Sequence, residues 1–312
     1  MASKIKLLFE PITVGSLELR NRIVMPPMDC NYAGPSGEVT EKVIAHYEQR
    51  AKGGVGLIVV EATAVVPVVK NLVLQPGIWD DFHIAGWENL TERIHSWGAK
   101  TIIQIQHSGN EARSGELVSA SNVTSRAVGG YPRPLEIDEI EELIEAFIMA
   151  AKRACVAGFD GIELHAAHGY LVNQFLSPFY NRRTDLYGGS TENRARFAVQ
   201  IIKGIKAALG RDFVVSVRYS ANEFLDGGLT VKESQELARL FQAAGADMLD
   251  VSAGVYDSAI FTIPPASLGQ GLLVPIARAI KEVAGIPVVA VGRMIDPYLA
   301  EKVLEEMLMI LP

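Results

Sequence analysis

Seven short apolar runs alternate with seven longer amphipathic stretches along the 312 residues of the chain. The runs lie at residues 23–28, 57–62, 101–107, 161–167, 213–220, 248–253 and 287–293. Each is nearly continuous in apolar residues at its centre, as strands covered on both faces must be. The stretches between them, at 40–52, 84–97, 137–157, 191–209, 231–244, 272–284 and 297–306, repeat their apolar residues at helical spacing. Ser190 to Glu192 and Thr230 read as N-cap regions, and Gly98, Gly158, Gly210, Gly245 and Gly285 stand where a left-handed C-cap residue belongs. So many βα units predict a parallel α/β sheet, and closure removes the edges such a sheet would otherwise expose. The pattern therefore predicts one domain over residues 1–312, a closed α/β barrel of parallel strands. An open doubly wound sheet would call for a G-x-G-x-x-G turn after an early strand, and the first two strands lack one.

Composition excludes several other classes. With 49% hydrophobic and 21% charged residues the chain is not disordered throughout. Its net charge of −7 makes it a poor partner for nucleic acid. Cys30 and Cys155 cannot build a disulfide framework, which points to a reduced, cytoplasmic protein. No apolar run reaches membrane-spanning length, and the apolar start is broken by Glu10 and Pro11, unlike a secretory leader. The longest connection, 108–136, is rich in Gly, Ser and Pro and long enough to be a functional cap.

In an α/β barrel the site lies at the C-terminal ends of the strands. Read there, the runs supply Pro27, Met28 and Asp29, then Glu61 and Ala62, then Gln104 and His107. The later runs supply His165, His168 and Tyr170, then Arg218, then Ser252 and Gly254, then Gly292 and Arg293. Polar groups in apolar strands are costly unless bonded, so one shared polar ligand is the economical explanation. Gln104 offers a donor and an acceptor, as an imide edge such as that of a flavin requires. Arg218 is permanently cationic and suits a ring that becomes anionic on reduction. Amides after Gly292 could approach a phosphate. In His165-Ala-Ala-His168-Gly-Tyr170 two imidazoles can hold a substrate oxygen and a phenol can protonate carbon. A metal site using Glu163, His165 and His168 is chemically acceptable but lacks a clear further ligand. A third reading makes these ordinary loop histidines.

At these residues the chain resembles the Old Yellow Enzyme family of flavin-dependent ene-reductases. The matching stretches include Phe9-Glu10-Pro11, residues 19–25, 53–58 and the Gln104 strand. They continue with residues 165–171, 181–190, Asn193-Arg194 and 215–218, in order from about residue 7 to 306. The resemblance implies a (β/α)8 TIM barrel that binds FMN and passes hydride from NADH or NADPH to the C=C bond of an unsaturated carbonyl or carboxylate compound, a small-molecule substrate. It would assign Met28, Ala62, Gln104, Arg218 and the Gly292-Arg293 turn to FMN, His165 and His168 to the substrate oxygen, and Tyr170 to proton donation. Pro27, Asp29, Ser252 and Gly254, at the same strand ends, complete the expected cofactor set. The run 250–256, with Ile263-Pro264-Pro265, looks most like the enoate-reductase and bile-acid-reductase branch.

Two places depart from the family pattern. Asp29 stands where relatives often carry Cys, Thr, Gly or His; a carboxylate there would disfavour an anionic reduced ring, or simply cap its loop. After Glu306 the chain continues only through Met307 to Pro312, so the eighth strand and final helices are expected to be shortened or missing. That leaves open a truncated barrel with weak or no FMN binding and no catalysis. Exposed strand edges would also favour a homo-oligomer.

Overall fold

Eight parallel strands pair side by side in the order in which they occur in the chain, in a computed structural model that describes residues 5–67, 72–305 and 308–310. They are β1 (Val24–Met25), β2 (Leu57–Ala64), β3 (Lys100–Gln106), β4 (Gly161–Ala166), β5 (Val214–Ser220), β6 (Met248–Ser252), β7 (Val288–Ala290) and β8 (Leu308–Ile310). The longer helices between them are α1 (Glu41–Lys52), α2 (Ile84–Ser96), α3 (Ile137–Val156), α4 (Thr191–Leu209), α5 (Val231–Ala244), α6 (Val274–Lys281) and α7 (Pro297–Leu304). Thr40, Ser190 and Thr230 cap α1, α4 and α5 by accepting from the backbone amides of Val43, Asn193 and Glu233. Among the described residues no helix is long and apolar enough to cross a membrane.

Two core layers show that the sheet curls into a barrel. One buried cluster joins Val24 of β1, Leu57 and Val59 of β2, Ile102 of β3, Val214 of β5, Met248 of β6 and Val289 of β7. Side chains from strands so far apart in the order meet only if the sheet wraps around them. Val14 and Leu19 join that cluster from a hairpin of strands Ile12–Val14 and Leu17–Leu19, which the sequence pattern did not reveal. The alternate residues, such as Ile58, Val60, Ile103 and Val217, face outward into a larger cluster with the helices.

The structure shortens several expected elements. β1 is only Val24–Met25, because Pro26 and Pro27 have no amide to give to a ladder. β7 stops at Ala290, and positive φ at Gly292 (+99°) and Arg293 (+52°) turns the chain away. α6 begins at Val274, with Pro275 in its first turn. Of the apolar end, residues 308–310 do form the short eighth strand, in register with Val288, Val289 and Ala290 of β7. Glu306, Met307, Leu311 and Pro312 lie outside the described residues. Near this seam the buried Glu301 of α7 accepts the backbone amides of Lys6, Leu7 and Leu8 at 2.8, 2.6 and 3.0 Å. One carboxylate thus fastens the last helix to the start of the chain.

Candidate active site

A cavity of about 410 Å³ opens at the C-terminal ends of the strands. Its wall includes Pro27, Met28 and Asp29 from the loop after β1, Gln104 of β3, His165 of β4, His168 and Tyr170 beyond it, and Arg218 of β5. Tyr256, Ala259, Thr262 and Ile263 cover it from the segment after β6. Three local devices aim these groups. An extra residue in β2, where the register with β3 jumps between Val60 and Thr63, forms a bulge. At the bulge the buried Glu61 accepts the amide of Cys30 and so holds the loop carrying Met28 and Asp29. Beyond β4, His168 has φ +62°, uncommon for a residue with a side chain. Its amide donates to Ser220 Oγ at 3.0 Å, and it bridges to Val255, so the neighbouring strands hold this conformation.

The imidazoles and the phenol converge. The His165 ring lies 5.2 Å from that of His168 and 4.8 Å from that of Tyr170, both edge to face. Burial, then the neighbouring His168 and Arg218, keep the His165 pKa well below the ordinary range; burial and Arg218 do the same for His168. Both rings are therefore neutral near pH 7. His165 Nδ1 accepts from the Ala167 amide at 3.3 Å, which leaves the proton on Nε2. His168 Nε2 meets Ser252 Oγ at 2.7 Å, leaving Nδ1 as its other nitrogen. Burial, reinforced by Tyr256 and Asp29, pushes the Tyr170 phenol well above its usual range, and its oxygen lies 3.1 Å from the Tyr256 hydroxyl.

The cavity floor is polar. Gln104 Nε2 donates to Glu163 Oε1 at 2.9 Å. Arg218 Nη1 stands 3.5 Å from Asp250 Oδ2, in ion-pair range but without hydrogen-bond geometry. Its Nε and Nη1 are buried with no hydrogen-bond partner. Orphan donors at the base of a cavity fit an electron-rich ring edge, so this floor suits the pyrimidine side of a flavin.

The remaining residues expected from the sequence stand behind or beside this cavity rather than in its wall. Ala62 is buried, and its carbonyl accepts from Gln75 at 3.0 Å. Ser252 supports His168, and the Gly254 carbonyl accepts from Ser220 Oγ at 2.6 Å. Arg293 Nη1 donates to the Ala266 carbonyl at 2.7 Å. Among the described residues no three His, Cys, Asp or Glu side chains converge as a metal site. The sequence marked the segment from Tyr256 to Ser267 as one that shapes the substrate pocket, but not the pairing of Tyr256 with Tyr170. Nothing in the sequence marked Glu111, buried in the turn after β3, whose carboxyl burial pushes up to about 8.

Comparison with known proteins fits this geometry. A family model described as NADH:flavin oxidoreductase / NADH oxidase matches residues 7–310. The chain belongs to that family. It is 46% identical over 305 residues to an NADH oxidase of Thermoanaerobacter brockii, covering 96% of this chain and 47% of that one. It thus spans about half the length of that relative. It is 42% identical over 300 residues to an NADPH dehydrogenase of Halalkalibacterium halodurans, covering 96% of this chain and 86% of that one. An Old Yellow Enzyme homologue from Zymomonas mobilis superposes with a TM-score of 0.83 at 28% identity, over 98% of this chain and 88% of that one. The resemblance to Old Yellow Enzymes and the barrel expected from the strand pattern both hold. FMN and a nicotinamide donor are the cofactors that go with this membership.

Proposed function

We propose that this member of the flavin oxidoreductase family carries hydride from NADH or NADPH, through FMN, to the C=C bond of an α,β-unsaturated carbonyl compound. The observation that carries the reading is the convergence of His165, His168 and Tyr170 on a cavity floored by Gln104 and Arg218. Pro27, Met28, Asp29, Gln104 and Arg218 would hold the flavin ring, with Ala62, Ser252 and Gly254 behind it and the Gly292-Arg293 turn for the phosphate. When bound, FMN supplies the hydride that it has taken from the nicotinamide.

The chain's own side chains do the rest. His165, with its proton on Nε2, donates to the substrate oxygen, and His168 flanks the same position. Those donors draw electron density from the conjugated double bond. Tyr170 keeps its proton until carbon is ready to take it, because burial disfavours the phenolate. Two neutral imidazoles and the exposed carboxylate of Asp29 suit an uncharged carbonyl oxygen better than a carboxylate, since Arg218 already faces Asp250.

Anaerobic stopped-flow on Tyr170→Phe tests the assignment. Reoxidation of the reduced flavin by cyclohexenone should slow by about 100-fold or more, the usual contribution of a general acid. Flavin reduction by the nicotinamide should stay within about threefold. Equal losses in both half-reactions would remove Tyr170 as proton donor.

A further inference from the structure

At the cavity floor and just behind it, the Arg218 guanidinium and two carboxylates share the barrel interior. Glu163 is 0% exposed, Asp250 1% and Arg218 7%. The strand register sets them side by side. Gln104 pairs with Glu163, Glu163 with Ser216, and Arg218 with Asp250. Glu163 Oε1 accepts from Gln104 Nε2, and Glu163 Oε2 lies 2.9 Å from Ser216 Oγ. Asp250 Oδ1 has no hydrogen-bond partner.

The charge count is uneven. If both acids ionised, one negative charge would remain uncompensated in a space that excludes water, an arrangement that proteins avoid by holding a proton. The neighbours decide where the proton sits. Asp250 faces the Arg218 cation, whereas the two groups bonded to Glu163 are uncharged. We propose that Glu163 is a neutral acid, holding the one proton of the Glu163–Asp250 pair, and that in this form it positions the Gln104 amide for the flavin. The second half rests on the FMN reading above. Burial, then Asp250, push the Glu163 carboxyl up to about 8, with Arg218, Ser216 and Gln104 pulling the other way. The titratable and charged groups that bear on it are Asp250 on β6 and Arg218 on β5, with His165 two residues along its own strand.

The arrangement also explains how Gln104 presents itself. With Nε2 engaged by Glu163, its Oε1 and second N–H remain for a ligand. Ionisation of Glu163 would place an anion next to that amide and draw Arg218 away from the flavin.

Two measurements on the whole chain test this. Infrared difference spectra of wild type minus E163Q, without FMN, should show the carbonyl stretch of a protonated carboxyl at about pH 7 that fades above about pH 8. A carboxylate band at about pH 7 overturns the protonation claim whatever the chain does with FMN. The second measurement is FMN affinity, by fluorescence quenching, from about pH 6 to about pH 10. Wild type should lose about tenfold in affinity over the alkaline part of the range, and E163Q should lack that loss. E163L, checked for folding by circular dichroism, should bind about tenfold more weakly at every pH, and E163Q should rescue it. Matching pH profiles for wild type and E163Q, or wild-type binding by E163L, would refute the positioning role. Wild type that takes up no FMN at any pH would sink the functional reading and the positioning role with it, while the infrared result would still decide the proton.

Discussion

From β3 to β6 the polar side chains of the site lean on one another. Gln104 is held by Glu163, Glu163 by Ser216, Arg218 faces Asp250, and His168 rests on Ser252. These strands run five to seven residues, long enough to fix each group by register. From β7 round to β1 the strands shrink to two or three residues, and the fastening passes to Glu301, which gathers three amides from the start of the chain. The contrast teaches where this barrel is intolerant. One side is a coupled polar network that fails as a unit, and the other is a seam where, among the described residues, Glu301 gathers three amides beside the packing of Leu8 with Val303 and Leu304, and where damage should stay local.

Arg218→Met should break the first region hardest. It leaves Asp250 buried without its cation, at a cost of about 3–5 kcal/mol. Adding Asp250→Asn should recover much of that loss, which chemical denaturation would show. If the double variant is no more stable than Arg218→Met alone, the two residues are not coupled. Glu301→Ala should cost about 2–3 kcal/mol, because three amides lose one charged acceptor. Hydrogen exchange should then quicken at residues 6–8 and in α7, and leave β4 and β5 protected. Exchange that rises equally in β4 would erase the distinction between the two regions. Ser252→Ala, which frees one nitrogen of His168, should have the smallest effect of the three. It should raise the KM for an unsaturated ketone about fivefold, the value of one ordinary hydrogen bond, with flavin reduction unaltered.

The pH dependence of stability should follow the same buried groups. The carboxyls of Glu61 and Glu223 are pushed up to about 7 and that of Glu163 to about 8, mainly by burial. A folded pKa above the unfolded one means that the folded state binds more protons in between, so stability falls as pH rises through that window. The buried imidazoles of His107, His165 and His168 are shifted down, so they favour the folded state more as pH rises toward about 6.5 and add nothing further above it. The melting temperature of the unliganded chain should therefore decline from about pH 6.5 to about pH 8. A rise over that interval would mean that the acids are already ionised in the fold.

Much of the barrel was legible because its strands are buried on both faces and its helices carry strong end signals. α4 and α5 begin and end where their Ser190 and Thr230 caps and following glycines place them. The two-residue β1 and three-residue β7 were harder to read, since apolar runs do not stop where pairing stops. The hairpin beneath the barrel escaped notice because its strands have three residues each and little period to detect. In the site, His165, His168, Tyr170, Gln104 and Arg218 stood out as polar residues at the ends of apolar strands. Glu163 was visible only as a possible metal ligand, because its real partners, Gln104 and Ser216, lie on neighbouring strands. The segment that begins at Tyr256 could be marked as pocket-forming, but its contact with Tyr170 was hidden because it joins residues far apart in the chain.

The most direct test of the account is the visible spectrum of the purified chain, supplied with FMN and kept anaerobic. The account predicts a bound-flavin band that bleaches on adding NADH or NADPH and returns when cyclohexenone is added. Protein that takes up no FMN, or a reduced flavin that the unsaturated ketone leaves bleached, would contradict it.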